Sequence, residues 1–158
     1  MSRLHALITH PWVALALRLY LGGLFVYASM YKINHPSVFA ETIAAYQMVP
    51  HMLVNPMAAT LPWLELACGL LLVAGVRSKA ACVLIIAMLV MFIIALAWVL
   101  VMDIPIGCGC FTGQEEEADI LTLLRDLAWL AMAAHVYLYD TAAQLERRFL
   151  WTIERAAR

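Results

Sequence analysis

The stretch AACVLIIAMLVMFIIALAWVLVM, residues 80–102, decides the fold. It holds no charge over a length that exceeds the ~20 residues an α-helix needs to cross the hydrocarbon core of a bilayer. A buried helix of a soluble protein would keep a polar stripe, and this run has none. It reads as a transmembrane helix over about 79–102. Working outward, three further apolar runs reach similar length, at about 12–31, 57–76 and 119–139. Composition agrees: 65% of the 158 residues are hydrophobic and 13% charged, far from the balance of a water-soluble domain. The expectation is an all-α polytopic membrane protein, a single domain over 1–158 with four transmembrane helices in a bundle. A formal net charge of −1 gives no electrostatic footprint for nucleic acid. The first run is too long for a signal-peptide core and lacks a small-x-small cleavage site before Lys32, so it reads as a retained helix.

Charge placement sets an expected orientation. Arg3, Arg77, Lys79, Arg147, Arg148, Arg155 and Arg158 fall at the amino terminus, the turn between the second and third runs, and the tail. Glu115, Glu116, Glu117 and Asp119 fall between the third and fourth. The positive-inside rule then puts both termini in the cytoplasm of a bacterial inner membrane. The segments 32–56 and 103–118 share the outer, periplasmic face, where disulfides persist. Lys32 is the dissenting charge on that face.

Two connectors carry helical patterns. Asn34-His35-Pro36-Ser37 is a turn into a second element, with Ser37 as N-cap, and Phe39, Ile43 and Tyr46 follow at helical spacing until Pro50. This predicts a short outer-face helix beside the bundle. From Thr141 onward, Leu145, Phe149, Leu150 and Ile153 alternate with arginines, which predicts an amphipathic C-terminal helix on the cytoplasmic lipid surface.

Ionisable groups inside apolar runs are costly, so they are paired or functional. Glu65 and Arg125 each fall roughly 10 Å below the outer end of their runs at the ~1.5 Å helical rise. Equal depth predicts a Glu65–Arg125 ion pair, serving helix register or a proton relay. Asp126 points about 100° away from Arg125 and needs another partner. Arg18, toward the inner end of the first run, is expected to snorkel to lipid headgroups. His135 reads as a helix-packing residue. Lys32 at the outer end is either an interface anchor or a charge that lowers a thiol pKa.

Chemistry concentrates in Cys108-Gly109-Cys110-Phe111. Two thiols one residue apart can cycle between dithiol and disulfide, and Gly107 and Gly109 permit the backbone angles that a closed ring needs. Such a ring is strained relative to the preferred Cα separation of ~5.5–6 Å, which suits a reducible couple better than a staple. The competing use is capture of soft Cu(I), with Met48, Met52 and Met57 on the same face. Cys68 and Cys82 read as small apolar fillers. About 26 residues of mostly helical chain, some 39 Å at the ~1.5 Å rise, separate Cys82 from Cys108 and exclude a disulfide between them.

These residues resemble a known family. Arg18, Gly22, Gly23, Phe25, Lys32, Pro36, Phe39, the Tyr46–Pro50 segment, Leu61-Pro62-Trp63-Leu64-Glu65, Gly69 and Cys108-Gly109-Cys110-Phe111 are similar to the methylamine-utilisation MauE family of DoxX-like membrane proteins. The resemblance spans nearly the whole chain and implies a four-helix bundle that works beside periplasmic thioredoxin-like proteins in disulfide handling or redox-protein maturation. The chain departs from the usual pattern where Thr112 precedes Gly113. The combined expectation is a membrane thiol–disulfide protein. Cys108 and Cys110 exchange electrons with a periplasmic thioredoxin-like or client protein, and Glu65, Arg125, Lys32 and Tyr46 support them. A quinone is the possible second electron carrier, and a Cu(I)-binding assembly factor is the alternative.

Overall fold

The computed structural model of the chain describes residues 10–102 and 119–140. Five helices carry these residues: α1 (Pro11–Asn34), α2 (Pro36–Ala45), α3 (His51–Ala74), α4 (Ser78–Met102) and α5 (Ile120–Tyr139). All but α2 are long and apolar enough to cross a membrane. Among the described residues there is no strand. The protein is an all-α, multi-pass membrane protein.

Local chemistry sets the boundaries. Proline opens α1 and α2 at their first positions, where its missing N–H costs nothing. Pro36 therefore starts α2 directly after α1 ends, so His35 rather than the expected Ser37 occupies the N-cap position. The α2 helix stops at Tyr46, and Gln47 takes a left-handed φ of 54°. The second span begins earlier than the 57 read from its apolar run, because α3 starts at His51 and runs through both Pro56 and Pro62. Prolines are tolerated inside transmembrane helices more readily than in water-soluble ones. The Thr60 hydroxyl adds a side-chain bond to the Pro56 carbonyl at 2.8 Å. Gly75 ends α3 at φ 70°, with its own N–H on Leu72 and that of Val76 on Leu71, the paired bonds of a Schellman turn. Only Gly75, Val76 and Arg77 separate α3 from α4.

The most extensive helix contact joins α1 and α3; α4 and α5 form the next, and α3 meets α4 less closely. Leu21, Phe25, Leu72, Ile85, Trp129 and Val136 form the centre of the core. Cys68 and Cys82 are buried there as free thiols, as fillers should be. A smaller cluster of Ile43, Val54 and Ala58 fastens α2 to α3. Outward the bundle shows large apolar side chains such as Ile94, Val101, Leu121 and Leu138, a surface suited to lipid.

Glycine explains how α1 and α3 approach. A Cβ on Gly22 would stand 2.9 Å from the Gly69 carbonyl oxygen, and one on Gly69 would stand 2.9 Å from the Gly22 oxygen. Small residues that let backbones touch are the usual device of membrane helix packing, where burial of apolar surface gives no drive.

Candidate functional site

A cavity of about 630 Å³ lies among all five helices and is walled mainly by apolar side chains. Its polar lining among the described residues is Lys32, Thr42, Tyr46, Glu65 and Asp126. Three of the four supporting residues expected from sequence therefore meet here: Lys32, Tyr46 and Glu65. The fourth, Arg125, neighbours the cavity through Trp129, with its guanidinium 4.9 Å from that ring.

The ion pair is different from the expected one. Lys32 Nζ donates to both Glu65 carboxylate oxygens, at 2.7 and 2.9 Å, so Glu65 pairs with α1 and not with Arg125. Counting residues along each helix gave matching depths but no direction around the axis. The glycine contact between α1 and α3 supplies that direction, because it brings the last turn of α1 against the Glu65 face of α3. The Lys32 ammonium also sits 4.9 Å from the centroid of the Phe39 ring, which ties α2 to the pair. A Lys32→Glu, Glu65→Lys double swap should therefore unfold at a temperature closer to wild type than either single change. The Glu65→Arg, Arg125→Glu swap should show no such recovery. Side-chain exposures of 12% and 14% place the single-change losses at the lower end of the ~3–5 kcal/mol expected for breaking a buried pair. Thermal unfolding in nanodiscs measures both swaps.

Tyr46 is buried and meets Phe92 edge-on, with ring centroids 6.2 Å apart. Burial pushes its phenol up to about 12, and the negative charge of Asp126 adds to the effect, so Tyr46 keeps its proton at any physiological pH. Asp126 is 1% exposed, and its Oδ2 is buried with no hydrogen-bond partner. Sequence reasoning left Asp126 waiting for a partner; the missed signal was the run Thr122, Asp126, Trp129, Ala133, Val136, which forms the buried face of α5.

At the far end of the bundle Arg18 does not snorkel to lipid. Its guanidinium is 3% exposed and meets Asp140 Oδ2 at 3.0 Å. Asp140 caps α5 and escaped notice because it follows the apolar run rather than interrupting it. His135 packs its ring 4.9 Å from Tyr139, as expected.

Comparison with known proteins gives these features a context. The family described as methylamine utilisation protein MauE matches residues 10–139. A methylamine utilisation protein MauE from Methylophilus methylotrophus is 32% identical over 141 residues, covering 84% of this chain and 72% of that one. Its counterpart in Paracoccus denitrificans is 34% identical, covering 80% of this chain and 69% of its own. That of Methylorubrum extorquens is 34% identical, covering 82% and 70%. The chain belongs to the MauE family. No solved structure matches it.

In this MauE chain the matched region takes in the whole cavity and the Lys32–Glu65 pair, and it ends one residue before Asp140. It also takes in the Cys-Gly-Cys sequence. Cys108 and Cys110, the acidic segment 114–117 and the tail from Thr141 lie outside the described residues. Among those that are described, no group of three or more His, Cys, Asp or Glu side chains is arranged to hold a metal ion. Met48 and Met57, considered for Cu(I), line the cavity, while Met52 is 84% exposed.

Proposed function

We propose that this MauE protein exchanges electrons through Cys108 and Cys110 with a periplasmic thioredoxin-like or client protein, in a bacterial inner membrane with both termini cytoplasmic. Its place would be the maturation of a redox protein in methylamine utilisation, the process for which its relatives are named. The observation that carries the reading is Cys108-Gly109-Cys110 itself, a pair too close in sequence to restrict much chain entropy and flanked by glycines that suit a reversible ring. Supporting it, the chain between Met102 and Asp119 leaves α4 and enters α5 at the end of the bundle that carries α2.

The chemistry is a two-step exchange. The thiolate of one cysteine attacks a partner disulfide, forming a mixed disulfide and releasing one partner thiolate. The second cysteine attacks that mixed bond, closes the Cys108–Cys110 disulfide and releases the other partner thiol. Two electrons pass to the partner, and the reverse sequence returns them.

A Cys110→Ser protein should accumulate a mixed disulfide with a periplasmic thiol protein, identified by mass spectrometry after acid trapping. Wild-type protein should show a reversible Cys108–Cys110 couple across redox buffers. A pair that never oxidises, together with stoichiometric Cu(I) lost on cysteine replacement, would put a copper-binding assembly factor in place of this reading.

A further inference from the structure

The cavity contains a feature that neither packing nor the thiol exchange uses. Asp126 turns a buried carboxyl into it with one oxygen unmatched. A buried polar atom without a partner is destabilising by an amount comparable to a hydrogen bond to a charged group. An occupant offering a complementary polar atom would remove that penalty, which a plain acyl chain cannot do.

Charge narrows the class of occupant. Lys32 and Glu65 neutralise each other at 2.7 Å, and Arg125 supplies the positive charge neighbouring Asp126. Among the described residues the charged groups around the cavity thus balance, with no spare cation there for a phosphate headgroup and no spare anion for an ammonium. A neutral head fits. Phe39, Tyr46, Phe92 and Trp129 border the space, and flat aromatic walls favour a flat ring. The volume of about 630 Å³ falls within the range of small-molecule sites.

We infer that this cavity binds the ring of a membrane-soluble quinone or its quinol, with the Asp126 carboxyl hydrogen-bonded to one ring oxygen. As a carboxylate Asp126 accepts from a quinol hydroxyl; as an acid it donates to a quinone carbonyl. One side chain therefore serves both redox forms. Electron exchange with the cysteines rests on the function proposed above: dithiol and quinone give disulfide and quinol, two electrons and two protons moving together. Binding does not depend on it.

The test uses the full chain in phosphatidylcholine nanodiscs, titrated with decylubiquinone and followed by tryptophan fluorescence. Saturable quenching is expected, with most of the saturable part lost in Trp129→Phe. Asp126→Leu, which removes the hydrogen-bonding group, and Ala95→Phe, which fills the cavity, should each raise Kd by about tenfold or more. Both variants are compared at matched unfolding temperature, and Trp129→Phe gives a second readout that leaves the carboxyl intact. Quenching that never saturates, or a Kd unchanged in both variants, overturns the inference. Displacement by decanol as readily as by a second quinone assigns the cavity to an alkyl chain and overturns it too. The Cys108→Ser, Cys110→Ser protein should bind with wild-type Kd. Binding that persists beside cysteines unable to oxidise would therefore fail the thiol reading alone, and a working thiol couple without binding would fail the quinone site alone.

Discussion

A Gly69→Val chain is expected to lose its folded bundle, with little protein recovered in monodisperse form and no cooperative unfolding transition. The added Cβ alone would stand 2.9 Å from the Gly22 carbonyl oxygen, 3.0 Å from Val26 Cγ2 and 3.1 Å from the Val26 backbone nitrogen. Overpacking typically costs ~1–3 kcal/mol where side chains can move aside. Here two of the three obstacles are backbone atoms of a helix, so relief requires the axes of α1 and α3 to separate. That movement would also draw Lys32 away from Glu65. Gly22→Val should behave alike, its Cβ meeting Val73 Cγ2 at 2.7 Å and the Gly69 oxygen at 2.9 Å. Gly23, one position on, has nothing within 4 Å of its would-be Cβ. Gly23→Ala should therefore match or slightly exceed wild type, since alanine is favoured over glycine in a helix interior by ~0.8–1 kcal/mol. Unfolding in nanodiscs separates the three variants, and equal behaviour at positions 23 and 69 would count against the close contact.

The second large effect lies at the opposite end. Asp140→Leu should destabilise the protein by up to ~3–5 kcal/mol, because it takes the carboxylate partner from Arg18, whose side chain is 3% exposed. Arg18→Leu with Asp140→Leu should be milder than Asp140→Leu alone, as a hydrophobic pair often replaces a buried ion pair without net loss. An arginine that snorkelled to headgroups would instead tolerate the loss of Asp140. Thermal unfolding midpoints of the three chains decide the matter.

How much of this was legible in the sequence depends on the kind of information each feature needs. Span number follows from length and hydropathy along a line, so Ser78–Met102 and Ile120–Tyr139 fell within a residue of expectation. Span two was read from its apolar run alone, whereas the helix starts earlier, at His51, and carries Asn55 and Pro56 before that run. Lys32, Glu65, Arg125 and Asp126 stood out as charges in apolar sequence. Their pairing did not, since it depends on the rotation of each helix about its axis. That rotation is fixed by Gly22 against Gly69, a contact visible only once the two helices are side by side. Tyr46 was placed beside the site by helical spacing, whereas the unmatched oxygen of Asp126 is a property of the assembled walls and has no linear signature.

The brief link Gly75-Val76-Arg77 has a mechanical consequence. It is the direct chain connection between a tightly joined pair, α1 with α3, and a second pair, α4 with α5. The two pairs also meet directly, α1 with α5 and α3 with α4. The cavity lies between them among residues far along each helix from that link, with α2 tied to it by Lys32 through Phe39. A change of angle about the short link would therefore alter the cavity more than the core packed next to the link.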